Sequence, residues 1–176
     1  MEKLTLPKLS LNLQELPVDL FALLQQVATE LGVKRIALVG GVVRDRLLQN
    51  FQQDMLIDIK DVDLVVEGSA KEIANVLCQK LGEERHIECQ VYGSYDTVKL
   101  RIDDLQIDIA SARKETYNSP GQNPQVEQGS IEEDLARRDF TVNSMAIELF
   151  QNKFLDPFAG RVDLKARQLI FLRSES

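Results

Sequence analysis

The stretch that decides the fold runs Arg35-Ile36-Ala37-Leu38-Val39-Gly40-Gly41-Val42-Val43-Arg44-Asp45-Arg46-Leu47-Leu48. Residues 35–39 form a short apolar run of strand length, the glycine pair interrupts it, and residues 42–48 return to helical spacing. Strand, glycine pair, helix is the outline of a phosphate-binding turn. Glycines let backbone N–H groups approach an anion, and the positive end of the helix dipole favours it. Arg44, one turn into the helix, could add a charged fork to a phosphate. A plain structural turn fits the same residues. The stretch is neither a Walker loop nor a complete G-x-G-x-x-G, so the ATPase and Rossmann signatures are missing.

Upstream, residues 1–15 read as an N-terminal arm. Leu20, Leu23, Leu24, Val27, Ala28 and Leu31 then recur with helical spacing up to Gly32. Downstream, a polar stretch at 49–58 precedes a second strand, Asp61-Val62-Asp63-Leu64-Val65-Val66. Ser69 and Glu72 form a capping-box pattern that opens a helix closed by Gly82. Three strand-like segments at about 86–92, 96–102 and 105–111, joined by tight turns, predict an antiparallel part of the same sheet. Residues 118–130 (NSPGQNPQVEQGS) read as a long irregular loop, of the kind that is functional or mobile. Ser130 and Glu133 open a helix to about Arg138, and another short helix is expected near 160–167. This order of elements predicts an α+β or mixed α/β domain.

Composition bounds the function. The chain has 176 residues, 44% hydrophobic and 28% charged, which is a globular balance for one domain. Its net charge of −7 excludes a simple basic nucleic-acid-binding module. No stretch of 18 apolar residues or signal-peptide core appears, so the expected setting is cytoplasmic, with no membrane partner. Cys78 and Cys89 fit no metal spacing and read as reduced thiols. His86 is the single histidine and reads as a structural or surface residue.

The acidic pairs carry more. Asp61 and Asp63, at i and i+2 of a strand, share one face, while Val62 and Leu64 point into a core. Two carboxylates so placed repel unless cations hold them, and hard oxygen ligands of this kind suit magnesium. A solvated strand edge is the plainer reading of the pair alone. In Leu105-Gln106-Ile107-Asp108-Ile109-Ala110 the isoleucines share a face and leave Asp108 on the other, where it could supply a third acid to a two-metal phosphoryl-transfer site. Arg137-Arg138-Asp139-Phe140-Thr141-Val142-Asn143 closes the set. Its arginines either balance a helix C-terminus or hold a nucleoside triphosphate, with Asp139 orienting a guanidinium and Asn143 pinning the turn.

In their order and spacing these motifs resemble one family over about residues 20–172. It is the catalytic head of bacterial-type (class II) tRNA CCA-adding enzymes and their poly(A) polymerase relatives, within the DNA polymerase β-like nucleotidyltransferase superfamily. The resemblance continues through Asp108-Ile109-Ala110-Ser111-Ala112-Arg113-Lys114-Glu115-x-Tyr117 and Asp156-Pro157-Phe158-x-Gly160. It implies an α+β fold, a mixed, largely antiparallel nucleotidyltransferase sheet flanked by helices, with residues 16–176 as the head. It also implies metal-dependent transfer of nucleotides from ATP and/or CTP to the 3′ end of RNA, most directly tRNA, by CCA, CC or A addition. The alternatives are poly(A) synthesis on other RNAs, or a head that binds nucleotide and metal without being active alone.

Carried over by position, Asp61, Asp63 and Asp108 would be the catalytic acids and hold Mg2+. Gly40, Gly41, Arg44, Asp45, Arg137, Arg138, Asp139 and Asn143 would bind or frame the nucleotide, and the 118–130 loop would be the family's catalytic loop. The sequence departs from the pattern in a longer gap between Asp45 and Asp61 and in Ser144, where alanine is usual. It also lacks the family's neck motif, Glu/Asp-Asp-x-x-Arg, which templates the base. A fragment without neck, body and tail is therefore expected, with RNA contacts made mainly by domains absent from this sequence.

Overall fold

The computed structural model describes residues 18–51, 61–82, 85–92, 96–116 and 125–172. The expected arm at 1–15 and most of the polar stretch at 49–58 lie outside them. Helix α1 (Val18–Glu30) turns Leu20, Leu24, Val27 and Ala28 inward, as its spacing requires. Strand β1 (Ile36–Val39) is buried along its whole length and leads through Gly40 directly into α2 (Gly41–Phe51). Strand β2 (Asp61–Val66) follows, then α3 (Ala70–Leu81), whose first turn Ser69 caps by accepting the Glu72 N–H.

Strands β3 (Ile87–Tyr92), β4 (Thr97–Ile102) and β5 (Leu105–Ser111) form the expected antiparallel meander. Beyond β5 come β6 (Arg113–Thr116), β7 (Gln125–Gln128), α4 (Ile131–Ala136), a 3-10 turn at Thr141–Asn143, β8 (Ala146–Glu148), β9 (Lys153–Leu155) and α5 (Gly160–Ala166). The seven-stranded sheet has the order β3-β4-β5-β2-β1-β8-β9, and β2 with β5 is its single parallel pair. The fold is α+β with a mixed, largely antiparallel sheet, as anticipated. The loop reading at 118–130 needs correction at one end. Residues 125–128 pair with β6 as a two-stranded ribbon, and 117–124 lie outside the described residues. Val126 is the only large apolar side chain in that strand, too weak an alternation to be legible.

One sheet face carries the main core. Leu64 and Val66 of β2, Leu100 and Ile102 of β4, and Ile107 and Ile109 of β5 pack in one cluster with Leu24 of α1 and Ile73 and Leu77 of α3. The opposite face holds a smaller cluster, in which Val39, Val65 and Ala146 meet Ile131 and Leu135 of α4. Because that helix covers only part of its face, the start of β2 stays open: Asp61 and Asp63 are exposed, and Val65 on the same side is buried.

Two polar devices lock the frame. Arg35 meets Glu67 (2.7 Å), Glu132 (2.8 Å) and Glu148 (3.1 Å), and hydrogen bonds from it to Glu132 and Glu148 push its guanidinium further toward the charged form. Glu67 also accepts the Ile131 N–H at 2.9 Å, so the pair fixes the start of α4. Asp96, with φ +49, accepts N–H groups of Ala70 (3.0 Å) and Lys71 (3.3 Å) and the Ser111 hydroxyl, capping α3 from across the sheet. Cys78 and Cys89 are free thiols, as expected. Burial and the neighbouring Cys89 push the Cys78 thiol up to about 11. His86 is exposed and contacts Glu88 at 3.3 Å. Among the described residues no helix is long and apolar enough to cross a membrane.

Candidate active site

Register brings the acids together. Pairing of β2 with β5 sets Asp63 directly beside Asp108, with Asp61 beside Gln106 one pleat away. On the other side of β5, Lys99 is the cross-strand partner of Asp108, and its Nζ lies 3.5 Å from Asp108 Oδ2. The other carboxylate oxygen, Asp108 Oδ1, is buried with no hydrogen-bond partner among the described residues. Such an acceptor carries a desolvation cost unless a cation or donor meets it. Partial burial, together with Asp108 and Asp61, pushes the Asp63 carboxyl above its ordinary value, although Arg138 and Lys99 oppose the shift. Three hard oxygen donors that repel one another, one with an orphaned atom, fit a divalent cation. The side chains are not drawn into a finished ligand shell: among the described residues no three acids are close enough to enclose an ion.

The glycine turn faces these acids. Gly40 has φ +72, a left-handed conformation that disfavours side chains, and a Cβ there would lie 3.2 Å from Asp63 Oδ2 and 3.5 Å from Arg138 Nη1. A Cβ on Gly41 would lie 3.4 Å from Arg44 Nη2. Bare backbone therefore separates the acid strand from two guanidinium groups. Arg44 gives Nε to Asp45 (2.8 Å) and Nη1 to Asn143 Oδ1 (2.9 Å), which ties α2 to the 3-10 turn. Arg44, Asp45 and Asn143 thus form one unit.

Arg137 and Arg138 follow α4 and converge on Asp134, which is fully buried. Oδ1 accepts Arg137 Nε at 2.9 Å and lies 2.8 Å from its Nη2, and Oδ2 accepts Arg138 Nη2 at 3.1 Å. Arg137 also reaches Glu115 at 3.7 Å. Asp139 was expected to orient a guanidinium. Instead it is exposed, its carbonyl accepts the Leu172 N–H, and Asp134 takes the orienting role. Sequence reasoning missed Asp134 because it ends an acid run, Glu132-Glu133-Asp134, that resembles ordinary N-terminal helix charge. Its position three and four residues before the arginines was the available signal. A cavity of about 460 Å³ opens beside Glu115, Arg137, Arg138, Asp139 and Asn143.

The turn is braced from behind. Asp156 accepts the Gly160 and Arg161 N–H groups, Thr141 donates to Asp163 Oδ2 (2.6 Å), and Gly160 sits where a Cβ would fall 2.2 Å from the Thr141 carbonyl oxygen. This close approach is what the Asp156–Gly160 motif provides. Ser144, the departure from alanine, is buried but satisfied by donating to the Phe140 carbonyl at 2.9 Å.

Comparison with known proteins agrees with this fold. The sequence model for the poly A polymerase head domain matches residues 36–170. An A-adding tRNA nucleotidyltransferase of Aquifex aeolicus is 41% identical over 145 residues, covering 81% of this chain and 16% of the relative. A solved CCA-adding enzyme in an apo form superposes with a TM-score of 0.73 at 36% identity, covering 88% of this chain and 35% of that one. A tRNA nucleotidyltransferase solved with a primer tRNA and an incoming ATP analogue gives 0.66 at 37% identity, covering 85% and 39%. This chain therefore spans well under half the length of each of these proteins. From β1 to the end of the last helix the matched region is the described sheet and its braces, and the chain belongs to the poly A polymerase head-domain family.

Proposed function

We propose that this chain is the nucleotide-transferring head of an enzyme that adds nucleotides from ATP or CTP to the 3′ end of tRNA. The observation that carries the reading is the placement of Asp63 and Asp108 side by side, with the bare Gly40 turn between Asp63 and the Arg138 guanidinium. In this reading Asp61, Asp63 and Asp108 hold divalent cations, Mg2+ in the cell. Bound there, such cations would supply Lewis acidity and charge neutralisation to the phosphoryl transfer. The Gly40-Gly41 backbone lets the triphosphate approach, Arg138 and Arg137 line its cavity, and Asp134 keeps both guanidiniums oriented before the nucleotide arrives. Arg44, Asp45 and Asn143 fix the far wall. No basic surface is needed for this task, which is compatible with the net charge of −7.

The test is calorimetric binding of ATP to the 176-residue chain with and without Mg2+. Binding is expected to require the metal and to vanish in the Asp61→Ala/Asp63→Ala double variant. Unchanged Mg2+-dependent affinity in that variant would sink the reading.

A further inference from the structure

The sheet face that carries Asp63 and Asp108 continues outward onto β4 and β3. Val98, Leu100 and Ile102 are buried on the core side of β4, so alternation turns Thr97, Lys99 and Arg101 to the side of the acids. The ladder makes one row across four strands, Gln90, Lys99, Asp108 and Asp63. At its outer end Tyr92 stands 48% exposed on the edge strand, its hydroxyl donating to Gln90 Oε1 at 2.6 Å. The Lys99 ammonium lies 5.9 Å from the Tyr92 ring centroid as well as 3.5 Å from Asp108. It links the ring to the acids.

An oriented, half-exposed ring beside an ammonium is a matched pair for one kind of ligand. A nucleobase has a π-face that stacks on the ring, and its backbone phosphate pairs with the cation. An ammonium carries three donors, so the ion pair with Asp108 leaves Lys99 able to meet a phosphate as well. β3 lies two strand spacings from β5, about 9.5 Å, a span that one or two nucleotides can bridge between Tyr92 and Asp108.

We propose that Tyr92 and Lys99 form the seat of the single-stranded 3′ end of the RNA primer. Tyr92 stacks on a base at or next to the terminus, and Lys99 pairs with a backbone phosphate, so the terminal hydroxyl is led to the acids. The inference rests on the nucleotide-transfer reading and adds to it the place of the acceptor strand.

The experiment measures binding of a short 5′-fluorescein single-stranded RNA to the 176-residue chain in Mg2+, beside binding of ATP. Tyr92→Ala should weaken RNA binding by about fivefold or more, and Tyr92→Phe should retain it, since stacking needs only the ring. ATP binding by Tyr92→Ala should stay unchanged. Lys99→Met should flatten the dependence of log K on log salt by about 0.7, and Lys99→Arg should restore the slope. A parent chain that binds ATP but not RNA would overturn the seat while leaving nucleotide transfer intact. So would RNA affinity that Tyr92→Ala leaves unaltered, or a salt slope that Lys99→Met leaves unaltered. A parent that binds neither ligand would overturn both readings.

Discussion

Replacing Asp134 by asparagine tests the central claim about the arginine pair. The change keeps volume, so no cavity forms, but it replaces the one carboxylate that both guanidiniums share with a neutral amide. The native carboxylate is 0% exposed and meets the two arginines at 2.8, 2.9 and 3.1 Å. Breaking a buried pair by neutralising one partner costs about 3–5 kcal/mol. Because both arginine side chains remain 22% exposed and can recruit water, the lower end applies, about 3 kcal/mol. At roughly 2–4 °C per kcal/mol for a chain of this size, the melting temperature should fall by about 6–12 °C. Thermal melts and urea midpoints measure this directly. ATP affinity at a temperature where the variant is still folded should fall as well, since an amide no longer preorganises both forks. A variant that melts within about 2 °C of the parent would refute the claim that Asp134 anchors the pair.

Three other perturbations probe separate parts of the frame. Gly160→Ala forces a carbon to 2.2 Å from the Thr141 carbonyl oxygen, so α5 must back away from the 3-10 turn; overpacking of this kind costs about 1–3 kcal/mol, read as a lower urea midpoint. Gly40→Ala adds the left-handed penalty of about 1–2 kcal/mol and crowds Asp63 Oδ2, so Mn2+ affinity followed by electron paramagnetic resonance should drop together with stability. Asp96 supplies the pH prediction. Burial pushes its carboxyl up, but hydrogen bonds from Ser111, Ser69 and the Lys71 and Ala70 N–H groups outweigh that and hold it below its ordinary value. Its stabilisation is therefore complete above the unfolded value of about 3.9 and lost as pH falls through the lower folded value. Urea midpoints between about pH 5 and 3 should fall less steeply in Asp96→Asn than in the parent, and identical slopes would exclude Asp96 as the acid-sensitive cap.

Much of this molecule was determined by sequence alone, and particular residues show why. Alternation in Asp61-Val62-Asp63-Leu64 states which side of β2 is wet, because a strand has a fixed period of two. The glycine pair after an apolar run announces the turn from strand to helix, and Ser130 with Glu133 announces the α4 cap, which forms reciprocally. These signals are local, set by backbone geometry within a few residues.

Tertiary structure decided which distant elements became neighbours. That Asp108 would stand beside Asp63 depends on β5 pairing in parallel with β2, and Lys99 reaches Asp108 only through the β4 register. Asp134 is fully buried because α4 lies across the second sheet face and the two arginines close over the carboxylate, a placement that no local pattern states. Likewise the sequence marks Gly160 as the end of a motif without giving its reason, and only the packing of α5 on the Thr141 turn shows that no side chain fits there. Periodicity encodes the face on which a residue lies. The partner it meets on that face depends on the burial of apolar surface by the whole sheet, summed over elements far apart in the chain.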